Sequence, residues 1–228
     1  MAVHRFDEWT SADVDPHSIL VMVLGATEQH GPHLPLSTDT IVAEALAEHL
    51  VGAMVGFVLG PTVPIGASGE HDGFKGTLSL GTEVLTAVLV EIVRSSRGSA
   101  AGVFFVVGHG GNHPAVSAAI ALSTAEGDQV GVGYAGILDG DAHAGRTETS
   151  LLLHLAPQLV VLERAERGNT TPLLDLLPRL QASGVKAVSP NGVLGDPTDA
   201  SASEGRSLFE KMGARLVETA RNWLEGQT

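Results

Sequence analysis

The sequence predicts an α/β protein: a three-layer αβα sandwich around a mostly parallel sheet. Two observations predict this class. Apolar runs of strand length alternate with helical patterns along the chain, and these runs are apolar throughout instead of alternating with polar residues. Strands of this kind are typical of parallel sheets, because helices cover both faces of the sheet. Right-handed strand–helix–strand crossovers then place helices on both sides.

The candidate strands are the four apolar runs, at Ile19–Gly25, Gly56–Pro61, Gly102–Gly108 and Val130–Ile137. Five helices are expected: one beginning at a cap at Thr38 or Asp39, one from near Thr82, one capped by Asn112 with Pro114 in its first turn, one at about Arg146–Leu155, and one at about Ser203–Leu224. The segment 182–202 is rich in Gly, Pro, Ser and Asp, and predicts a long surface excursion. Without a repeat or a linker, residues 1–228 are expected to form one domain.

The composition excludes several classes of function. Hydrophobic residues make up 43% of the 228 residues and charged residues 17%, which indicates a globular chain. The absence of cysteine excludes disulfides, thiolate metal sites and a catalytic thiol. A net charge of −13 repels a phosphate backbone and argues against a nucleic-acid partner. We find neither a signal-peptide pattern nor an apolar run near the roughly 20 residues that span a bilayer, so we expect a cytoplasmic protein without a membrane partner.

Polar segments follow all four predicted strands. They read "GATEQHG", "GASGEHDGF", "GHGGNH" and "DGDAHAGRTETS". Six of the ten histidines lie in these segments or, for His33, two residues after the first: His30, His33, His71, His109, His113 and His143. In open α/β sheets, ligand sites form outside the carboxyl ends of the strands. We therefore expect these segments to converge at one edge of the sheet.

The first segment crowds ionisable groups into "VMVLGATEQHGPHLPLSTDT", residues 21–40. Glu28 and His30 are separated by one residue, so an extended chain places both on one face. Asp39 lies at the expected helix start, from where its carboxylate could reach back. Carboxylates and imidazoles without thiolates suit zinc, manganese or iron(II), and such a set could hold two adjacent ions with one carboxylate bridging. The simpler alternative is a solvated carboxylate and a hydrogen-bonded packing histidine.

The other segments add candidates with their own alternatives. His109 lies in "GHGGN", where glycines let the backbone pass close to an ion or substrate. A phosphate-binding turn is the alternative there, but no Lys or Arg stands nearby. Glu148 is expected in the first turn of a helix. A favourable interaction of its carboxylate with the helix dipole would be enough to explain a glutamate there. Glu70 and His71 either shape a substrate pocket or belong to a hydrated loop.

Together, "GATEQHGPHLPLSTDT", "GHGGN" and "DAHAGRTETS" closely resemble the creatininase family of metal-dependent amidohydrolases, from about Ile19 to about Leu155. The resemblance implies a creatininase-like fold and two divalent ions per subunit, as zinc, iron(II) or manganese. It implies these metal ligands, with Asp39 bridging: Glu28, His30, Asp39, His109 and Glu148. His143 resembles the catalytic histidine that protonates the leaving nitrogen, and Glu148 is placed with it in the catalytic set. His33 matches no ligand position, so we expect it to support a ligand or line the pocket.

Departures from the family pattern narrow the substrate. Creatininase has a Glu at the position of Gly111, and tryptophans around its substrate, whereas this chain has only Trp9 and Trp223, both outside the motif segments. This argues against creatinine. In its short length and in the motifs "ASGEHDGF" and "DAHAGRTETSLLLHLAP", the chain resembles the family branch that acts in mycofactocin maturation. Members of that branch are peptidases that release a modified C-terminal dipeptide from a ribosomally made precursor. A small amide or peptide substrate and a homo-oligomeric assembly are therefore expected.

Three alternatives stay open. A deformylase or cyclic-amide hydrolase of the same family would use the same ligands on another small amide. A mononuclear iron oxygenase needs two histidines and one carboxylate, and the surplus of carboxylates disfavours it. A non-catalytic metal-binding module would keep the fold but lose ligands, yet no ligand position is substituted.

Overall fold

The computed structural model describes residues 4–136 and 140–226, and its centre is a four-stranded sheet. The strands are β1 (Ile19–Leu24), β2 (Phe57–Val63), β3 (Gly102–Val107) and β4 (Val130–Tyr134). They lie in the order β2-β1-β3-β4, and every neighbouring pair is parallel. The helices of more than one turn are α1 (Thr38–Ala53), α2 (Thr82–Ser96), α3 (His113–Ala125), α4 (Arg146–Leu155), α5 (Leu173–Ser183) and α6 (Ala202–Glu225).

Helices cover both faces of the sheet, which confirms the predicted αβα sandwich. Alternate side chains of β1 point to opposite faces. Val21 and Val23 pack into a core with α1, α4 and α6, whereas Leu20 and Met22 pack into a second core with α2 and α3. All six residues of β1 and all six of β3 are buried. This double burial is why the strands are apolar throughout.

The strand and helix boundaries differ from the prediction in detail. β2 extends to Val63, because Thr62 and Val63 continue the pairing with β1 after a bulge. β4 ends at Tyr134, and Ile137, the predicted end, lies outside the described residues. The predicted capping of α1 at Thr38 or Asp39 is wrong, since Ser37 holds the cap position and Asp39 lies inside the first turn.

Asn112 precedes α3 as predicted, but its side chain does not cap the helix. Its Oδ1 accepts a hydrogen bond from Ala67 N at 2.7 Å, and its Nδ2 donates to Gly25 O at 3.0 Å. Asn112 is fully buried, and buried polar groups must be hydrogen-bonded. Its amide therefore bonds to Ala67 N and Gly25 O, and the end of α3 is left uncapped by this side chain. The amide thereby joins the loops after β1, β2 and β3.

The segment 182–202 is not the surface excursion that its composition predicted. Val193 and Ser189 are almost completely buried, and Leu194 packs with Val185 and Leu176 of α5 in a small third core. Leu194 also exchanges backbone hydrogen bonds with His143. The sequence analysis did not predict α5 either. No helix among the described residues has the length and apolar character needed to cross a membrane.

Candidate metal centre

The carboxyl edge of the sheet brings together the side chains that the sequence singled out. Glu28 and His30 lie in the loop after β1, and His109 follows β3 by one residue. His143 lies in the loop before α4, after the last strand. Asp39 reaches the same place from the first turn of α1. All five side chains are at least nine-tenths buried, which is unusual for charged groups without a partner ion.

Asp39 lies between two histidines of different loops. Its Oδ1 is 3.3 Å from His30 Nε2, and its Oδ2 is 3.5 Å from His109 Nδ1. Each oxygen therefore faces its own imidazole. This is the geometry required of a carboxylate that bridges two ions.

His30 is oriented so that one nitrogen is free for an ion. Its Nδ1 lies 3.1 Å from the backbone oxygen of Glu28, and a carbonyl oxygen can only accept a hydrogen bond. Nδ1 therefore carries the proton and Nε2 is left to bind a metal, as in many metal-binding histidines. Nε2 faces Asp39 and, at 3.7 Å, Glu148 Oε2. Glu148 is itself held by a 2.6 Å hydrogen bond from Ala144 N, whose backbone has a positive φ of 50°.

A second group of side chains surrounds His109. Its Nε2 lies 3.2 Å from Glu28 Oε2 and 3.2 Å from Glu70 Oε1. Gly111 makes this arrangement possible, since a Cβ atom at that position would collide with both Glu70 Oε1 and His109 Nε2. The carboxylate of Glu70 thus occupies the space beside the Cα of Gly111 and approaches His109.

The residues fit a pair of divalent ions. Both oxygens of Glu28, Oδ2 of Asp39 and Nε2 of His109 are buried without a hydrogen-bond partner among the described residues. Two ligand atoms at 2.0–2.2 Å from a tetrahedral ion are about 3.3–3.6 Å apart. The spacings of 3.2–3.7 Å around Asp39, His30 and His109 match this value. Glu28, Asp39 and His109 can form one three-ligand group, and His30, His143 and Glu148 can form another, with Asp39 facing His30. Glu28, His71 and His143 are close enough together to form a third.

The proton affinities show how strongly this cluster needs cations. Burial and the neighbouring Asp39 raise the pKa of Glu28 to about 8, and burial raises the pKa of Glu148 to about 7. Burial alone would lower the pKa of a histidine, but Asp39 and Glu148 raise the pKa of His30 to about 10. Glu28 and Glu70 likewise raise the pKa of His109 to about 9. Without ions, protons therefore supply the positive charge that crowded carboxylates require.

His71 and His143 stand at the other side of Glu28. Their rings are 4.5 Å apart, and His71 Nε2 and His143 Nδ1 lie 3.1 and 3.8 Å from Glu28 Oε1. Burial lowers the pKa of His71 to about 4 and the pKa of His143 well below its ordinary value. Both rings are therefore neutral at pH 7. A histidine must be neutral if it is to accept a proton.

Two of the six histidines lie outside this cluster. His33 is buried, and its Nε2 lies 2.8 Å from the hydroxyl of Thr149 on α4, so it supports the helix that carries Glu148. His113 is exposed at the start of α3 and stacks on Tyr134 with ring centroids 5.3 Å apart. Neither belongs to a metal-binding group among the described residues.

The sequence analysis missed Gln29 and the segment around Gly192. Gln29 is buried, and its side-chain amide lies within hydrogen-bond distance of both His71 and His143. Its position between Glu28 and His30 was the available signal. Gly192 gave no such signal, because only the folded chain brings its carbonyl to Gln29.

Comparison with known proteins shows the family of the chain. The family model described as Creatininase, creatinine amidohydrolase, matches residues 7–220. A mycofactocin precursor peptide peptidase of Mycolicibacterium smegmatis (strain ATCC 700084 / mc(2)155) is 47% identical over 222 residues, covering 94% of this chain and 90% of that protein. The protein of the same name from Mycobacterium tuberculosis (strain ATCC 25618 / H37Rv) is 48% identical, covering 90% of this chain and 85% of that protein.

Solved structures share the fold. A structure titled "Creatininase Mn" superposes with a TM-score of 0.77 at 25% sequence identity, covering 97% of this chain and 98% of that one. That name includes manganese, one of the ions that suit the donor atoms found here.

Proposed function

Because the chain belongs to the creatininase family, we propose that it is a metal-dependent peptidase that releases the modified C-terminal dipeptide of the mycofactocin precursor peptide. The observation that carries the metal-dependent chemistry is the set of buried, unpartnered atoms on Glu28, Asp39 and His109. The peptide substrate is supported by the relatives that are 46–48% identical and named for this activity.

Five side chains are proposed to hold two divalent ions, as zinc, iron(II) or manganese. Glu28 and His109 would bind one ion, and His30 and Glu148 the other, with Asp39 shared between them. The spacing of the donor atoms supports this assignment, because each of these pairs is 3.2–3.7 Å apart. Glu148 keeps its place in the catalytic set through this ligand role.

When bound, such ions supply an acidified water and polarise the amide carbonyl. His143 Nδ1, which faces Glu28 Oε1 at the edge of the cluster, accepts the proton that the attacking water loses. A C–O bond forms as the water oxygen adds to the carbonyl carbon. His143 then gives its proton to the nitrogen, the C–N bond breaks, and one water is consumed per amide. His33 supports α4 through Thr149 and takes no part in proton transfer.

Glu70 is proposed to face the substrate as well as His109. It is the most accessible carboxylate beside the cluster, with a third of its side chain exposed, whereas Glu28 is fully buried. A partly exposed carboxylate next to the scissile bond suits recognition of a peptide N–H group. His71 lies beside Glu70, and it is proposed to donate a hydrogen bond to the oxygen of the scissile amide.

The experiment that tests the function is a product analysis by mass. The protein is loaded separately with zinc, iron(II) and manganese and incubated with the modified precursor peptide, formylated amines, small cyclic amides and creatinine. We expect release of the dipeptide from the precursor and no turnover of creatinine. Hydrolysis of only a formamide or a cyclic amide would identify the alternative activity in the same family. Absence of turnover with every ion and every amide, in protein that binds metal, would favour the non-catalytic binding module.

We further propose that the protein acts in the cytoplasm as a homo-oligomer, on a small amide or peptide and without a nucleic-acid or membrane partner. The net charge of −13 supports the exclusion of nucleic acid. The exposed apolar side chains of Leu159, Leu162 and Leu174 are available to an interface between subunits. Light scattering of the purified protein measures the number of subunits.

A further inference from the structure

Gln29 holds two histidines through one amide group. Its Oε1 accepts a hydrogen bond from Gly31 N at 2.9 Å, which fixes which end of the amide is oxygen. The Nε2 end then faces three groups: His71 Nδ1 at 2.9 Å, His143 Nε2 at 3.0 Å and Gly192 O at 3.1 Å. An amide nitrogen has only two hydrogens, so one of the three groups must take its hydrogen bond elsewhere.

His143 is the group that does so. Its Nε2 lies 2.8 Å from the backbone oxygen of Gln29, and that oxygen can only accept. His143 therefore carries its proton on Nε2 and leaves Nδ1 without one. The two hydrogens of the Gln29 amide then go to Gly192 O and His71 Nδ1. Since His71 Nδ1 accepts, neutral His71 carries its proton on Nε2. In this arrangement the Gln29 amide, Gly192 O, His71 Nδ1 and His143 Nε2 each have a hydrogen-bond partner.

His71 Nε2 and His143 Nδ1 face the same space beside Glu28, one as a hydrogen-bond donor and the other as an acceptor. His71 presents an Nε2–H and His143 presents the lone pair of Nδ1, both beside Glu28 Oε1. Although His71 Nε2 is 3.1 Å from that oxygen, Glu28 Oε1 has no hydrogen-bond partner among the described residues. An oxygen atom placed in the site can therefore compete with Glu28 for the N–H of His71.

We propose that Gln29 is a positioning residue that gives His71 and His143 opposite proton roles, so that His71 donates Nε2–H to the oxygen of the scissile amide while His143 accepts a proton at Nδ1. This assignment rests on the proposed hydrolytic function. A preorganised donor aimed at the developing oxyanion is a large contributor to acyl-transfer catalysis. His71 is therefore a catalytic residue, distinct from the five ligands.

The test reads the tautomers directly. We would label the histidines with ¹⁵N in the zinc-loaded protein and assign His71 and His143 with single His→Gln variants. Long-range ¹H–¹⁵N spectra separate rings protonated at Nδ1 from rings protonated at Nε2. We expect Nε2–H for both rings in the wild-type protein. A wild-type His71 protonated at Nδ1 would overturn the proposal.

The deciding variant is Gln29→Glu, which keeps the shape of the side chain but removes its N–H donors. We expect His71 to move its proton to Nδ1, and kcat on the precursor peptide to fall by about 10²–10³-fold, the usual loss for one oxyanion donor. Zinc content and KM should stay near wild type. An unchanged His71 tautomer together with an unchanged kcat would contradict the proposal. Gln158→Glu, the same change at an exposed glutamine, is the matched control.

Gly192→Ala and substitutions of His71 test the same hydrogen bonds if Gln29→Glu folds poorly. Gly192 has a φ of +81°, and a Cβ there would collide with the Gln29 amide, so Gly192→Ala should displace the amide without altering either histidine. His71→Gln retains an N–H donor and should keep more kcat than His71→Leu; equal losses would contradict a donor role. The expected tautomers in a protein that hydrolyses no amide would refute the proposed function while supporting the Gln29 assignment.

Discussion

The carboxylate of Glu70 lies in the space directly beside the Cα of Gly111, where any Cβ atom would collide with it. Glu70 can therefore occupy its position only because residue 111 is a glycine. A carboxylate from the loop after β2 thereby lies 3.2 Å from His109 on the loop after β3.

Gly111→Ala should consequently weaken the metal centre more than a glycine substitution in a turn normally would. The new Cβ meets Glu70 Oε1, His109 Nε2 and the backbone of Ala67, so the imidazole must move. We expect at least a tenfold loss of metal affinity, measured by competition with a chelator of known affinity. Gly110→Ala is the matched control, because a Cβ there has no described atom within 4 Å. Equal affinities in the two variants would contradict this reading of Gly111.

Asp39→Asn should remove the shared ligand of both ions. The variant keeps the side-chain volume but replaces one carboxylate oxygen by an NH2 group, which cannot bind metal, so the side chain can no longer bridge two ions. We expect bound metal to fall from about two ions per subunit to one or fewer, and activity to fall by more than about 10-fold. Elemental analysis after gel filtration measures the metal content. Glu48→Gln, an exposed carboxylate on the same helix, should retain both ions; full metal content in Asp39→Asn would refute the bridging role.

His143→Ala should separate metal binding from turnover. His143 transfers protons but is not among the proposed ligands, so the variant should keep its metal while kcat falls by about 10²–10⁴-fold. Steady-state kinetics and elemental analysis of the same preparation give both quantities. His17→Ala, an exposed histidine before β1, serves as the control. Loss of the metal together with activity would instead assign His143 to the ligands.

Metal binding should release protons at neutral pH. His30, His109 and Glu28 have pKa values of about 10, 9 and 8 in the metal-free protein, so all three hold protons at pH 7 that an ion must displace. Apparent metal affinity should therefore rise with pH between 6 and 8. Calorimetry in buffers of different ionisation enthalpy counts the protons released. Affinity independent of pH would contradict the assignment of these groups as ligands.

The metal-free protein should lose stability as the pH rises from about 6.5 to about 10. Raised pKa values of Glu28, Glu148, His30 and His109 mean that the folded state binds more protons than the unfolded state in this window. Burial lowers the pKa of three other histidines, whose unfolded forms lose their protons by about pH 7.5 and oppose the trend only below that pH, by less than the four raised groups contribute. Urea unfolding at several pH values measures the trend. A free energy of unfolding that rises over this window would contradict it.

Much of the fold was predictable because the signals are local. An uninterrupted apolar run such as β1 specifies a doubly covered strand, and Pro114 with the apolar pattern after it specifies α3. The edge at which the site forms follows from parallel strands alone. The prediction that the Asn112 side chain caps α3 was wrong, because that side chain instead bonds to Gly25 and Ala67, which are distant in the chain.

The sequence by itself determined the sheet, the edge that carries the site, and the types of ligand that gather there. Only the tertiary structure decided what each group does. Gln29 looked unremarkable between Glu28 and His30, yet its amide sets the protons of His71 and His143. The segment around Gly192 looked like exposed loop, yet it is buried behind His143. The physical reason is that ligand chemistry belongs to a residue type, whereas a tautomer depends on which partners the fold places at hydrogen-bond distance.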